Sequence, residues 1–330
     1  MLIMTTKGLY CPRGNFYIDP KGSVEHAVVT HAHSDHARKG SKHYYCAASG
    51  AALLKVRLGE FISVKAIPYR EKFNIKDVVI SFHPAGHILG SSQVRIEFNS
   101  EVWVVSGDYK RDLDPTCEPF ETVLCDVFIT EATFGTPAYS WKKEINFGGE
   151  IFNWWNKNSR AGFNSVLFAY SLGKAQRILG YLRPYTEIPI VCQSGTEMLT
   201  ACYRKEGIEL SPTISIEQLE LTSIRQENLF LVSPSFLSTK QADVLGKKYR
   251  TAFASGWMAR NNYRYDAGFV ISDHADWDDL LRTIAESKAR QVYVQHRGNG
   301  ALVKELKSWG ISASSDLALF PKHPHQLALL

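Results

Sequence analysis

The order of apolar runs along this 330-residue chain predicts an α/β protein in which one α/β unit interrupts another. Three observations lead there. Residues 1–150 read as short strands ended by turn residues. Residues 151–270 alternate strand-like and helix-like runs with short joins, the pattern of a parallel α/β unit. No Pro/Gly-rich linker, low-complexity tract or repeat of about 20–50 residues marks a boundary, so the middle segment reads as inserted. The expected division is 1–150 and 271–330 as one domain, with 151–270 between.

Strands are expected over 26–30, 78–82, 93–98, 102–105 and 127–130. Each is an apolar or alternating run bounded by Gly, Asp, Pro or Ser. A helix over 47–59 has Ser49 near its start and Gly59 at its end. Residues 150–157 read as helix. Strand 166–169, a helix from Gly173, strand 188–192, a helix from Thr196, strand 229–232, a helix from Thr239 and strand 251–254 then alternate. After a strand at 269–271 come helix 277–287, strand 291–294 and helix 301–308.

Composition narrows the class. Hydrophobic residues make 45% and charged residues 22%, as in an ordinary globular chain. No run of about 18 apolar residues suggests a membrane helix. Residues 1–14 lack the apolar core of a secretion signal. Cys11, Cys46, Cys117, Cys125, Cys192 and Cys202 form no CxxC pair, which suits a reduced cytoplasmic protein. The net charge of +5 lies wholly in residues 151–270, with 14 Lys/Arg against 9 Asp/Glu. Either a polyanion approaches that segment, or the excess is a surface fluctuation.

The strongest chemical signal is His31-Ala-His33-Ser-Asp35-His36, directly after the strand at 26–30. Imidazoles with a carboxylate suit zinc or manganese. Residues at i and i+2 can face one ion from an extended segment, and Asp35 and His36 can turn to a second beside it. His87, in Pro84-Ala-Gly-His-Ile-Leu-Gly90, and Asp108, in Ser106-Gly-Asp-Tyr109, also follow strands. A carboxylate such as Asp108 can bridge two cations.

This ordered set resembles the metallo-β-lactamase fold. Thr130-Glu131-Ala-Thr-Phe-Gly135, Ser272-Asp-His274-Ala-Asp276, Val292-Tyr-Val-Gln-His296-Arg-Gly298 and Tyr170-Ser-Leu-Gly-Lys-Ala-Gln176 resemble motifs of its β-CASP nuclease branch. Ala254-Ser-Gly-Trp-Met258 and the segment 268–277 are similar to bacterial exonucleases associated with DNA ligases. The resemblance covers about residues 16–308. It implies an αββα sandwich with an inserted β-CASP α/β domain and an active site in the cleft between them. It also implies one metal on His31, His33 and His87, a second on Asp35, His36 and His296, and Asp108 bridging. Glu131 and His274 would form an acid–imidazole pair. Arg297 stands where a Gly often follows the histidine. A histidine at the His296 position is more typical of RNA-acting members, whereas the ligase-associated likeness favours DNA.

The expected activity is hydrolysis of phosphodiester bonds by two divalent ions, zinc or manganese, most simply as a DNA exonuclease in repair beside a ligase and helicase. RNA processing is the alternative. A lactamase- or glyoxalase-type hydrolase would need neither the inserted unit nor Glu131 and His274. Asp35 and Asp108 would serve the metals that activate water, and His274 would protonate the leaving oxygen. Phosphate handling is expected from strand–turn–helix joins in the inserted unit, through Ser171, Gly173, Lys174, Ser194, Thr196, Ser255 and Arg260. Further cations are Lys110, Arg111, Arg177 and Arg264; Tyr139, Trp141, Trp257 and Tyr263 could stack bases.

Overall fold

The computed structural model describes residues 1–219, 227–260, 264–295 and 300–321. The chain divides into two compact units. One comprises Met1–Leu113, Cys117–Ser140 and the residues from His274 onward; the other comprises Asp114–Thr116 and Trp141–Asp273.

In the first unit, β1 (Ile3–Thr5), β2 (Gly8–Cys11), β3 (Phe16–Ile18), β4 (His26–Val28) and β5 (His43–Ala47) are neighbours in sequence order. Helix α1 (Ala51–Leu58) leads to β6 (Val64–Ile67), the far edge of this sheet. Pairing is antiparallel to β3 and parallel beyond it. The helix expected from residue 47 starts later because Ala47 pairs with Ile67. Gly59, at φ 117°, ends it.

A second sheet begins with β7 (Phe73–Ile75), β8 (Val78–Pro84), β9 (Ser92–Phe98), β10 (Glu101–Val105) and β11 (Val127–Thr130). The first four pair antiparallel, then β10 and β11 run parallel.

The other unit carries α2 (Phe147–Arg160), β12 (Asn164–Phe168), α3 (Lys174–Leu182), β13 (Ile190–Cys192), α4 (Ser194–Lys205) and β14 (Thr213–Ser215). It continues with β15 (Leu229–Val232), β16 (Tyr249–Ala254) and β17 (Ala267–Phe269). Its sheet is parallel throughout, in the order β14-β13-β15-β12-β16-β17. Every residue of β12, β13 and β15 is buried, as expected of strands covered on both faces. The run expected as a helix from Thr239 is a 3-10 segment, Lys240–Leu245. Gly246, at φ 65°, stops it before an α-helix can propagate. The strand expected at 269–271 stops at Phe269, whose carbonyl accepts from Ile271 N at 2.8 Å.

The first unit resumes with α5 (Trp277–Ser287), β18 (Gln291–Val294), α6 (Ala301–Ser308) and β19 (Ser312–Ser315). The two strands extend the second sheet parallel from β11. One core joins the facing sheets through Phe16, Ile18, Ile80, Phe82, Ile96 and Ile129. A second packs Leu280, Ile284, Leu302 and Leu306 of α5 and α6 on Phe128 and Val292. A third sets Leu54 and Leu58 of α1 on Val29 and Tyr44. Each such side chain stabilises the layers by about 1.5–3 kcal/mol on burial. Among the described residues no helix is long and apolar enough to cross a membrane.

Candidate metal centre

Four strands of the first unit end where the chemistry collects. The chain leaves β4 through buried Val29 and Thr30 into the loop His31–His36. Ser92 at the start of β9 donates its N–H to the Thr30 carbonyl at 2.9 Å and its hydroxyl at 3.0 Å, pinning the loop's first end. Asp19 pins both ends. It accepts from Thr30 N at 2.8 Å and from Thr30 Oγ1 at 2.6 Å, and lies 2.7 Å from His36 Nδ1. The sequence reading missed Asp19; its signal was an Asp-Pro pair closing β3 at a left-handed φ of 45°.

His87 follows β8 in a loop bounded by Gly86 and Gly90, both at positive φ. Ser91 Oγ accepts from His87 N at 3.0 Å and Ile88 N at 3.1 Å, so the loop's donors are satisfied locally. Asp108 follows β10 through Gly107, and Glu131 follows β11.

These ends converge. One nitrogen from each of His31, His33 and His87, with a carboxylate oxygen of Asp108, lies within 4.8 Å of all the others. His33 Nδ1 is 3.1 Å from His31 Nε2 and 3.0 Å from His87 Nε2. Asp108 Oδ2 is 3.5 Å from His31 Nε2, 3.8 Å from His87 Nε2 and 3.5 Å from His36 Nε2. Its Oδ1 is buried without a hydrogen-bond partner. Three imidazole nitrogens around one carboxylate are a donor set for a borderline divalent ion, and the unmatched oxygen is a place for a second bond. The residues present therefore fit divalent metal.

Asp35 is exposed, with Oδ2 3.7 Å from His36 Nε2. His296 lies outside the described residues. Beside Asp35 and His36 opens a cavity of about 540 Å³, also lined by Asp19, Arg38 and Gln295.

Electrostatics follow burial. Burial pushes His31 well below the ordinary histidine range, leaving it neutral with lone pairs to donate. Burial opposes charge on His36 too, but the Asp108 and Asp19 carboxylates raise it well above that range. Burial would raise Asp108; the His36 and His274 imidazoles hold it well below instead, so it is a carboxylate.

Glu131 and His274 form the expected pair, Nδ1 lying 2.9 Å from Oε2 and 3.0 Å from Oε1. Tyr109 N donates to Oε1 at 2.7 Å and Thr133 Oγ1 to Oε2 at 2.6 Å. The pair joins Asp108 in a second group within 4.8 Å.

The residues expected to handle phosphate all lie in the second unit. Ser171 and Gly173, Ser194 and Thr196, and Ser255 follow β12, β13 and β16; because the strands are parallel, these turns share one sheet edge. Ser194 and Arg260 are exposed. Thr196 and Ser255 are buried, and Ser255 Oγ accepts from Trp257 N at 3.3 Å. Lys174 corrects the expectation of a presented cation. It is buried, with Nζ 3.1 Å from Asp273 Oδ2. Arg177 is likewise buried among carboxylates, and Arg111 donates to Glu286 at 2.6 Å. Lys110 is buried, Arg264 and Trp257 are exposed, and Tyr139 and Trp141 are half-buried. Tyr263 lies outside the described residues.

No protein-family profile matches the chain. Over 312 residues it is 30% identical to a protein of Opitutus terrae named "Probable DNA ligase", covering 93% of this chain and 30% of that one. Over 226 residues it is 24% identical to the "RNase J-like protein" of Methanocaldococcus jannaschii, covering 60% and 53%. Over 133 residues it is 30% identical to "Endoribonuclease YSH1" of Gibberella zeae, covering 39% and 16%. The chain thus spans about a third, a half and a sixth of these relatives. A crystal structure of a protein of unknown function from Enterococcus faecalis aligns with TM-score 0.57 at 13% identity, over 87% of this chain and 78% of that one. These homologues, which include RNase J-like and YSH1 endoribonucleases, are of the metallo-β-lactamase/β-CASP family, and the chain is similar to them.

Proposed function

We propose that the chain is a nuclease that hydrolyses phosphodiester bonds with two divalent ions, acting on DNA from an end. In this reading the first unit is a metallo-β-lactamase αββα sandwich and the second an inserted β-CASP domain. The observation that carries it is Asp108. Its buried Oδ2 faces the three-histidine group on one side and His36 on the other, while Oδ1 has no partner. A carboxylate so placed suits a bridge between two cations. His31, His33 and His87 would hold one ion; Asp35, His36 and His296 would hold the other. Zinc suits this imidazole-rich set, with manganese as the alternative.

Bound ions would supply Lewis-acid stabilisation of phosphate charge and an acidified water. The chain's own residues do the rest. Glu131 holds His274 through Nδ1, which leaves Nε2 to carry the proton for the leaving oxygen. Because Tyr109 N and Thr133 Oγ1 fix Glu131, the carboxylate stays a stable counter-charge to the imidazolium. Ser171, Gly173, Ser194, Thr196, Ser255 and Arg260 would contact the phosphate backbone along their shared sheet edge. Similarity to "Probable DNA ligase" over 93% of the chain supports a setting linked to a DNA ligase; a helicase partner in repair is part of the same proposal. Six free cysteines suit the reduced cytoplasm.

RNA is the second reading, favoured by the RNase J-like and YSH1 relatives and by a histidine at position 296. End-labelled single-stranded DNA and RNA of one sequence, digested over time with zinc or manganese, test both. DNA shortened stepwise from one end is expected. Robust RNA cleavage without DNA cleavage selects the second reading. Asp108→Ala and His33→Ala should each lower cleavage by at least about a thousandfold; activity that survives either change removes the proposed site.

A further inference from the structure

Lys174 and Arg177 stand on the first turn of α3, and each is only 3% exposed. Both point at the chain segment just before His274. Lys174 Nζ is 3.1 Å from Asp273 Oδ2, and Arg177 Nη1 is 4.0 Å from Asp273 Oδ1. Arg177 Nη1 also donates to the Ser272 carbonyl, and its Nε lies 3.5 Å from Asp114 Oδ2. All four charged groups belong to the second unit, and their charges balance. The turn that aims the two cations is itself locked. Gly173 sits at φ 87°, donating its N–H to Gln176 Oε1 at 2.8 Å. Gln176 Nε2 donates to Ser171 O at 3.1 Å and Thr200 Oγ1 at 3.0 Å.

Buried ion pairs are a weak source of net stability, because desolvation offsets most of the attraction. What they do well is select one arrangement. Here the arrangement selected is that of a five-residue run. Ser272 is held through its carbonyl by Arg177, and Asp273 by Lys174. His274 is held by Glu131, and Ala275 N donates to Tyr109 O at 2.7 Å. Asp276 caps α5, accepting from Asp279 N at 3.0 Å. A shift at Asp273 passes through one peptide bond to the Cα that carries the imidazole.

We propose that Lys174 and Arg177 are positioning residues. By holding Asp273 and the Ser272 carbonyl they fix the backbone from which His274 reaches Glu131. The kinetic consequence rests on the nuclease reading above; the structural one does not.

Nuclear magnetic resonance of protein labelled with ¹⁵N-histidine reads the arrangement directly, through the His274 Nδ1–H held by Glu131. Lys174→Met and Asp273→Asn are each expected to move or broaden that signal. Lys174→Arg, which keeps the charge, should return it. In the metal-loaded enzyme acting on single-stranded DNA, both disruptive variants should lose about tenfold to a hundredfold in kcat at near-normal KM and unchanged metal content. The double variant should lose no more than the worse single one, since both break one contact. A lysine that binds phosphate instead would raise KM on removal, would not be mimicked by Asp273→Asn, and would leave the His274 signal unmoved; that result overturns the proposal. If Lys174→Met does not fold, the nearly isosteric Asp273→Asn decides alone, and an unmoved signal there is equally fatal. A moved signal in a protein that cleaves no nucleic acid would keep the positioning role and remove the nuclease reading.

Discussion

Asp19 bears on the metal centre without belonging to its three-imidazole group. It accepts from Thr30 N and Oγ1 and meets His36 Nδ1, so one carboxylate sets both where the ligand loop starts and how its last histidine is turned. With Nδ1 engaged, Nε2 is the nitrogen left for a metal or for Asp108. Asp19→Asn keeps one oxygen but turns the other acceptor into a donor facing His36. Affinity for zinc or manganese, measured by competition with a chelator, should fall about tenfold to a hundredfold while the fold is retained. Unchanged affinity would show that the loop holds itself. The candidate ligands were legible in sequence because four of them crowd into six residues. Asp19 was not, since an Asp-Pro pair reads as a turn, and its partners come from the loop that follows β4. Lys174 was legible as a motif residue, yet the direction of its side chain, inward to Asp273, was not.

Among the elements, the strand ends matter most. β4, β8, β10 and β11 each stop one to three residues before a chemical group, and short glycine-containing loops keep those groups close. Gly107 is one of these joints. It sits at φ 56°, and a Cβ there would lie 2.7 Å from Thr30 Cβ and 2.9 Å from Thr30 Oγ1. Gly107→Ala therefore combines backbone strain with a clash against the residue that Asp19 anchors. It should cost about 1–3 kcal/mol in denaturant unfolding and weaken metal binding through Asp108. Gly195, with open space around it inside α4, is the control: Gly195→Ala should be neutral or slightly stabilising. Equal behaviour of the two variants would remove the argument from close approach. The longer apolar strands and helices α5 and α6 were legible from periodicity. The strands β1, β2, β3 and β5 were not, because three to five residues that mix buried and half-buried positions carry too little pattern.

At the scale of the whole molecule, the positive excess of residues 151–270 takes a different form from the sequence count. Lys174 and Arg177 are buried, Arg183 meets Glu187, and Arg250 meets Asp266 at 3.1 Å. These four of the segment's fourteen cations are engaged within the second unit, so fewer are left to neutralise phosphates than the sequence count suggests. Binding of a short single strand by metal-free protein should weaken by roughly tenfold to a hundredfold between about 50 and 200 mM salt, the slope of about three phosphate contacts. A thousandfold loss would mean that the buried pairs open on binding, and no loss would remove the polyanion reading. The sequence by itself determined which residues could be ligands and the order of the longer strands and helices, because local spacing and periodicity are written in neighbouring residues. Only the tertiary structure decided that Asp108 faces two histidine groups at once, that Asp19 governs the loop, and that Lys174 serves Asp273. Those depend on strands far apart in the chain ending together, and on burial choosing each charge's partner.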